Sequence, residues 1–161
     1  TEGDVAKVFQ MVDTLFSYSQ KILGTHPVDI LLIDTQHERL NGETSAVLTV
    51  GGMRGCICMY RMQSEEVNPT HVLLHELGHL LHIKVTGTLT DIPDSFNEHL
   101  LGLGIDCRKL TTAQLRELFA DTFLLAVISQ TIEFEDPFPD ISPQRKQACY
   151  EYIKCCFDKL F

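Results

Sequence analysis

Across residues 4–23, Val5, Val8, Phe9, Val12, Leu15 and Phe16 recur at three- and four-residue steps, and Ile22 and Leu23 extend the series. That spacing predicts an amphipathic helix laid over a sheet, with Gly24 as its stop. The pattern then changes period. Val28 to Ile33 is short, apolar and partly β-branched, and residues 46–50 repeat that character after the polar, turn-prone stretch 39–45, so two strands are predicted. Gly51, Gly52 and Gly55 bracket a turn, and residues 56–62 read as a third strand; strands two and three stand close enough in sequence to favour an antiparallel hairpin.

Helical periodicity returns at residues 69–84, where Asn68 suits the cap, Pro69 the first helical position and Gly87 the stop. Between residues 86 and 110, Pro93, Gly102 and Gly104 interrupt the pattern, although residues 95–101 have room for one or two helical turns. Long loops in small domains often carry function, so this stretch is expected to form a rim or lid. Thr111 with Gln114 matches a capping box and opens a helix running toward Ile128, and Ser142-Pro143 opens a last one ending near Leu160. The elements describe one α+β domain over residues 1–161, without internal repeats.

Composition adds three constraints. A chain of 161 residues that is 44% hydrophobic can bury a substantial core. No run of 18 apolar residues offers a membrane span, and a net charge of −9 with only 13 Lys and Arg argues against nucleic acid or an anionic membrane as partner. The expected partner is instead a protein or peptide, and the oligomeric state is left open. Cys56, Cys58, Cys107, Cys149, Cys155 and Cys156 contain no pair at the two-residue spacing of a zinc knuckle or redox motif. Most read as buried small hydrophobes in a reducing, cytoplasmic compartment; disulfides in an exported protein are the alternative, because a trimmed start at Thr1 would hide a leader.

The chemistry concentrates in His75-Glu76-Leu77-Gly78-His79. Residues four apart share a helix face, so both imidazoles can aim a nitrogen at one ion. Glu76 projects about 100° further round the helix and can reach a water beside the metal, as a general base must. Zinc suits this donor set, because catalytic zinc takes three protein ligands and leaves a fourth position to water. A merely amphipathic helix would not explain a charge amid apolar neighbours, nor Gly78, which weakens a helix interior by about 1 kcal/mol.

For the third ligand, Glu117 and Asp121 stand four apart on an otherwise apolar helix face, where two like charges call for a cation. The economical arrangement puts Glu117 on the metal and lets Asp121 accept the N–H of His75 or His79. A solvated edge shared with Arg116 is the bland alternative. Glu98 is a rival ligand, being closer in sequence to His79.

His75-Glu76-Leu77-Gly78-His79, followed by Glu117-Leu118-Phe119-Ala120-Asp121-Thr122-Phe123, resembles the gluzincin metallopeptidases, whose second motif is a Glu ligand with an Asp four residues later. Within that group, the order of strands, metal helix and Glu-x-x-Ala-Asp-x-Phe helix is similar to the small ImmA/IrrE-type peptidases. The resemblance implies a zincin-like fold with a small, twisted, mainly antiparallel sheet packed on an active-site helix and further helices. It also implies one zinc held by His75, His79 and Glu117, with Glu76 as base. The chain departs from the metzincin pattern, since His82 and Val85 replace the Gly and third His; Gly102 stands where a thermolysin-like enzyme would have an Asp after Glu98.

A zinc-dependent endopeptidase is therefore expected, with a substrate strand added along residues 56–62. His82, His99 and Tyr60 are candidates to stabilise the oxyanion, and Arg54 and Arg61 could meet an acidic substrate, although solvated charges are the better reading of them. Two other functions compete: a zincin-like module that binds protein without cutting it, and a structural zinc protein closed by a fourth ligand such as His82 or a cysteine.

Overall fold

A computed structural model describes residues 2–16, 28–49, 52–131 and 136–159. The elements run α1 (Glu2–Phe16), β1 (Val28–Ile33), β2 (Gly42–Thr49), β3 (Gly52–Tyr60), α2 (Pro69–Thr86), α3 (Asp94–Gly102), α4 (Thr112–Ile128) and α5 (Pro143–Asp158), with a short 3₁₀ turn at Cys107–Lys109. The described residues are thus α+β, five helices with a three-stranded sheet. The predicted end of the first helix, Gly24, the last residue of the predicted second strand, Val50, and the turn residue Gly51 lie outside the described residues, as does Leu160.

The helix ends form as their sequences dictate. Asn68 Oδ1 accepts from the Thr70 N–H at 2.9 Å, Pro69 occupies the first turn of α2, and Gly87 closes it in the left-handed region at φ 74°. Thr111 and Gln114 make the reciprocal capping box of α4, and Ser142 caps α5.

The sheet differs from the expectation of a mainly antiparallel one. Its order is β1-β3-β2, with β3 antiparallel to β2 but parallel to β1. The predicted hairpin exists, yet β2 begins at Gly42 and β3 at Gly52, inside stretches read as turns. β3 is paired along both edges, so it has no free backbone for an added strand, and the placement of a substrate along residues 56–62 is corrected. Its inward residues Ile57 and Met59 are buried, while Cys56 and Cys58 share the opposite, half-buried face.

α2 is the centre of the molecule. Leu74, Leu77, Leu80 and Leu81 are completely buried, each stabilising the fold by roughly 1.5–3 kcal/mol through lost apolar surface. One side lies under the sheet, where a Cβ on Gly55 would sit 2.5 Å from Leu80 Cδ1. The other side meets α4 at Gly78: a Cβ there would come within 2.7 Å of Ala120 Cα and 2.9 Å of Phe123 Cβ. Gly78 therefore weakens α2 locally in exchange for a close crossing with α4. Behind α4, the stacked rings of Phe16 and Phe157, 4.7 Å apart, join α1 to α5. α1 thus reaches the helical layer beyond the sheet it was expected to cover.

All six cysteines are free; Cys149 and Cys156 are buried, Cys155 is exposed and the others are half-buried, so only two match the buried reading. Among the described residues, no helix is long and apolar enough to cross a membrane.

Candidate metal centre

The α2/α4 crossing sets the site. With Gly78 against Ala120, the His75 and His79 turns of α2 face the Glu117 and Asp121 turns of α4. The His75 and His79 Nε2 atoms are 3.2 Å apart; Glu117 Oε2 lies 3.0 Å from the first and Oε1 3.2 Å from the second. Four ligands arranged tetrahedrally at about 2.0–2.1 Å from a zinc ion stand about 3.3 Å from one another. The three side chains therefore already hold the spacing of such ligands, and their donor set suits zinc. Among the described residues, no fourth His, Cys, Asp or Glu joins the group.

The electrostatics point the same way. Burial alone would lower the pKa of His75, but its hydrogen bonds with Asp121 and Glu117 outweigh it and raise the imidazole to about 10. Contact with both imidazoles holds Glu117 well below the usual carboxylate range. His75 Nδ1 lies 2.9 Å from Asp121 Oδ1 and Nε2 3.0 Å from Glu117 Oε2, so the protonated ring donates to both carboxylates; a metal ion would take the place of the Nε2 proton. Two lone pairs at 3.0 Å repel unless a proton or a cation stands between them. The group stands at the wall of a cleft: the Glu117 side chain is 62% accessible, and those of His75 and His79 are 21% and 15%. α4 itself is largely buried, from Phe119 to Ile128 apart from Asp121, and the two carboxylates lie at its more accessible edge.

Glu76 projects from α2 toward the sheet and is buried. Thr44 Oγ1 on β2 lies 2.6 Å from Glu76 Oε2 and 3.0 Å from its backbone O, so its single proton goes to the carboxylate at the shorter distance. Gly42 allows this approach, since a Cβ on it would meet Glu76 Cγ at 2.9 Å. The composition of residues 39–45 concealed both contacts.

His82 lies behind the ligands. Its Nε2 is 3.1 Å from His79 Nδ1, so it neither reaches the ion position as a fourth ligand nor presents an N–H to a substrate oxyanion. Burial, then the neighbouring His79, push its pKa down to about 4.

The other candidates lie elsewhere. Glu98 is exposed on α3 and absent from the cluster. His99 stacks on Tyr152 at 4.5 Å, Tyr60 donates to Glu43, and Arg54 pairs with Asp29. Arg61 borders a separate, mostly apolar cavity of about 540 Å³ with Val5, Leu32 and Met59, where the described residues form no cluster of three metal ligands.

The His75, His79 and Glu117 group opens into a cleft of about 710 Å³, walled by β2, α2 and α4. From the long stretch after α2, only part forms the rim: Leu89 lines the cleft, and Arg116 Nη1 donates to Thr90 O at 3.3 Å. α3 instead buries Phe96 and Leu100 in the core. Comparison of the chain with protein-family models, with curated proteins and with solved structures gives no match.

Proposed function

We propose that the protein is a metal-dependent hydrolase. More specifically, it is a zinc endopeptidase of gluzincin type, with His75, His79 and Glu117 as ligands and Glu76 as general base. The observation that carries this reading is the convergence of three ligand atoms in an open cleft, with a carboxylate one residue from the first ligand. A structural zinc site would be closed by a fourth protein donor, and His82 is turned away from that role.

Zinc, when bound, acts as a Lewis acid on a carbonyl and makes water more acidic. Glu76 takes a proton from the attacking water and passes it to the amide nitrogen as the C–N bond breaks, so the carboxylate ends unchanged. Thr44 holds that carboxylate in place, and Asp121 fixes the His75 tautomer. The peptide pairs with β2, which lies at the sheet edge and contributes Gly42 and Thr44 to the cleft wall.

Elemental analysis of the purified protein should find about one zinc per chain, and the protein should cleave members of a diverse peptide library. Glu76→Gln should keep the zinc and abolish cleavage. A variant that cleaves as well as wild type removes Glu76 from the mechanism; zinc-loaded wild-type protein that cleaves nothing favours a binding module.

A further inference from the structure

Within the metal-centre reading, each histidine ligand needs its second ring nitrogen held by an acceptor, because that contact fixes which nitrogen faces the ion. His75 has Asp121 for this purpose. His79 has another imidazole: its Nδ1 lies 3.1 Å from His82 Nε2, with the two rings at 83°. With His79 Nε2 reserved for the metal, the proton is on Nδ1, and the only lone pair it meets in this contact is that of His82 Nε2.

We propose that His82 is a positioning residue for the metal centre, accepting the His79 Nδ1–H at Nε2 and so holding the lone pair of His79 Nε2 on the ion. Several independent features fit. His82 is 1% exposed, and its ring stands edge-on to Phe119 with centroids 5.8 Å apart, so it cannot turn into solvent without breaking the core. A fully buried imidazole in an apolar wall is costly unless it serves a neighbour. Accepting at Nε2 places its own proton on Nδ1, a buried atom that meets no hydrogen-bond partner.

The arrangement also makes the two ligands unequal. His75 is backed by a carboxylate, which raises its donor strength; His79 is backed by a neutral ring, which raises it less.

The test uses zinc binding to the whole protein, measured by competition with a chromogenic chelator. His82→Phe fills the space without an acceptor, whereas His82→Gln can place a carbonyl oxygen near the former Nε2. His82→Phe should bind zinc about 10- to 100-fold more weakly, with His82→Gln within about threefold of wild type. Cobalt-substituted His82→Phe should show an altered visible spectrum. Wild-type affinity in His82→Phe, or equal losses in two folded variants, would overturn the proposal. Should His82→Phe not fold, ¹⁵N NMR of zinc-loaded wild type decides: an unprotonated His82 Nε2 supports the proposal, and a protonated one overturns it. Wild-type protein that takes up no zinc sinks the metal-centre reading as well, so the two failures are distinguishable.

Discussion

Thr44 on the edge strand donates to Glu76 on α2 at 2.6 Å, and this contact ties the proposed general base to the wall on which a substrate would lie. Thr44→Val removes the donor while keeping the shape. A hydrogen bond to a charged group contributes about 1.5–3 kcal/mol, so a measurable loss of stability is expected. Turnover should fall roughly 10- to 100-fold through misplacement of the carboxylate, with zinc content unchanged and Thr44→Ser near wild type. Turnover that survives Thr44→Val would show that Glu76 is oriented by something else.

Removing Asp121 should act on the metal rather than on the base. Asp121→Ala leaves the His75 Nδ1–H without its carboxylate, and a drop of about 10- to 100-fold in zinc affinity is expected in chelator competition. Glu117→Ala should lose more, because it removes a ligand. Glu98→Ala, altered on the exposed side of α3, should behave as wild type, and equal losses at Glu98 and Glu117 would contradict the ligand assignment.

Gly78→Ala tests the helix crossing. The added methyl would meet the Ala120 backbone at 2.7 Å, and backbone cannot yield as a flexible side chain can. Separation of α2 from α4 should cost about 1–3 kcal/mol in denaturant unfolding and weaken zinc binding at the same time. Stability lost with unchanged zinc affinity would mean that the ligand spacing does not depend on this contact.

Metal-free protein should show a pH dependence that zinc removes. His75 is raised from 6.5 to about 10 by its carboxylate neighbours, so its contribution is fully present below about pH 6.5 and is lost as pH rises through about 10. Glu117 is depressed, so its contribution holds above its ordinary 4.5 and is lost only in acid. The melting temperature of the metal-free form should therefore decline between about pH 6.5 and 10. Zinc displaces the His75 proton and should flatten that slope, releasing protons on uptake. Identical profiles with and without zinc would argue against His75 as a ligand.

Much of this was readable from residues alone, for physical reasons. Caps are local, so Asn68, Thr111 and Ser142 announced three helix starts, and all three form. The His75, His79 and Glu117 cluster followed from helical spacing and from the charges it set on apolar faces. The sheet was harder. Glu43, Thr44 and Ser45 looked like a turn because an edge strand with polar surroundings lacks an alternating apolar signal. Gly55 looked like a turn residue too, but it serves close packing under Leu80. The parallel pairing of β1 with β3 depends on contacts distant in sequence, which no local pattern reports. His82 stands out in the sequence as a histidine three residues after His79, yet its contact with the rear nitrogen of His79 depends on side-chain packing that no spacing reports.

The near-contact of Gly78 with Ala120 has a mechanical consequence. Two helices touching backbone to backbone have little slack, so the ligand atoms they carry form a stiff frame whose dimensions hardly vary with what enters the cleft. Accommodation of different guests then falls to the softer margins, the free edge of β2 and the short bridge around Thr90, whose substitution should alter which peptides fit and leave the ion's grip untouched.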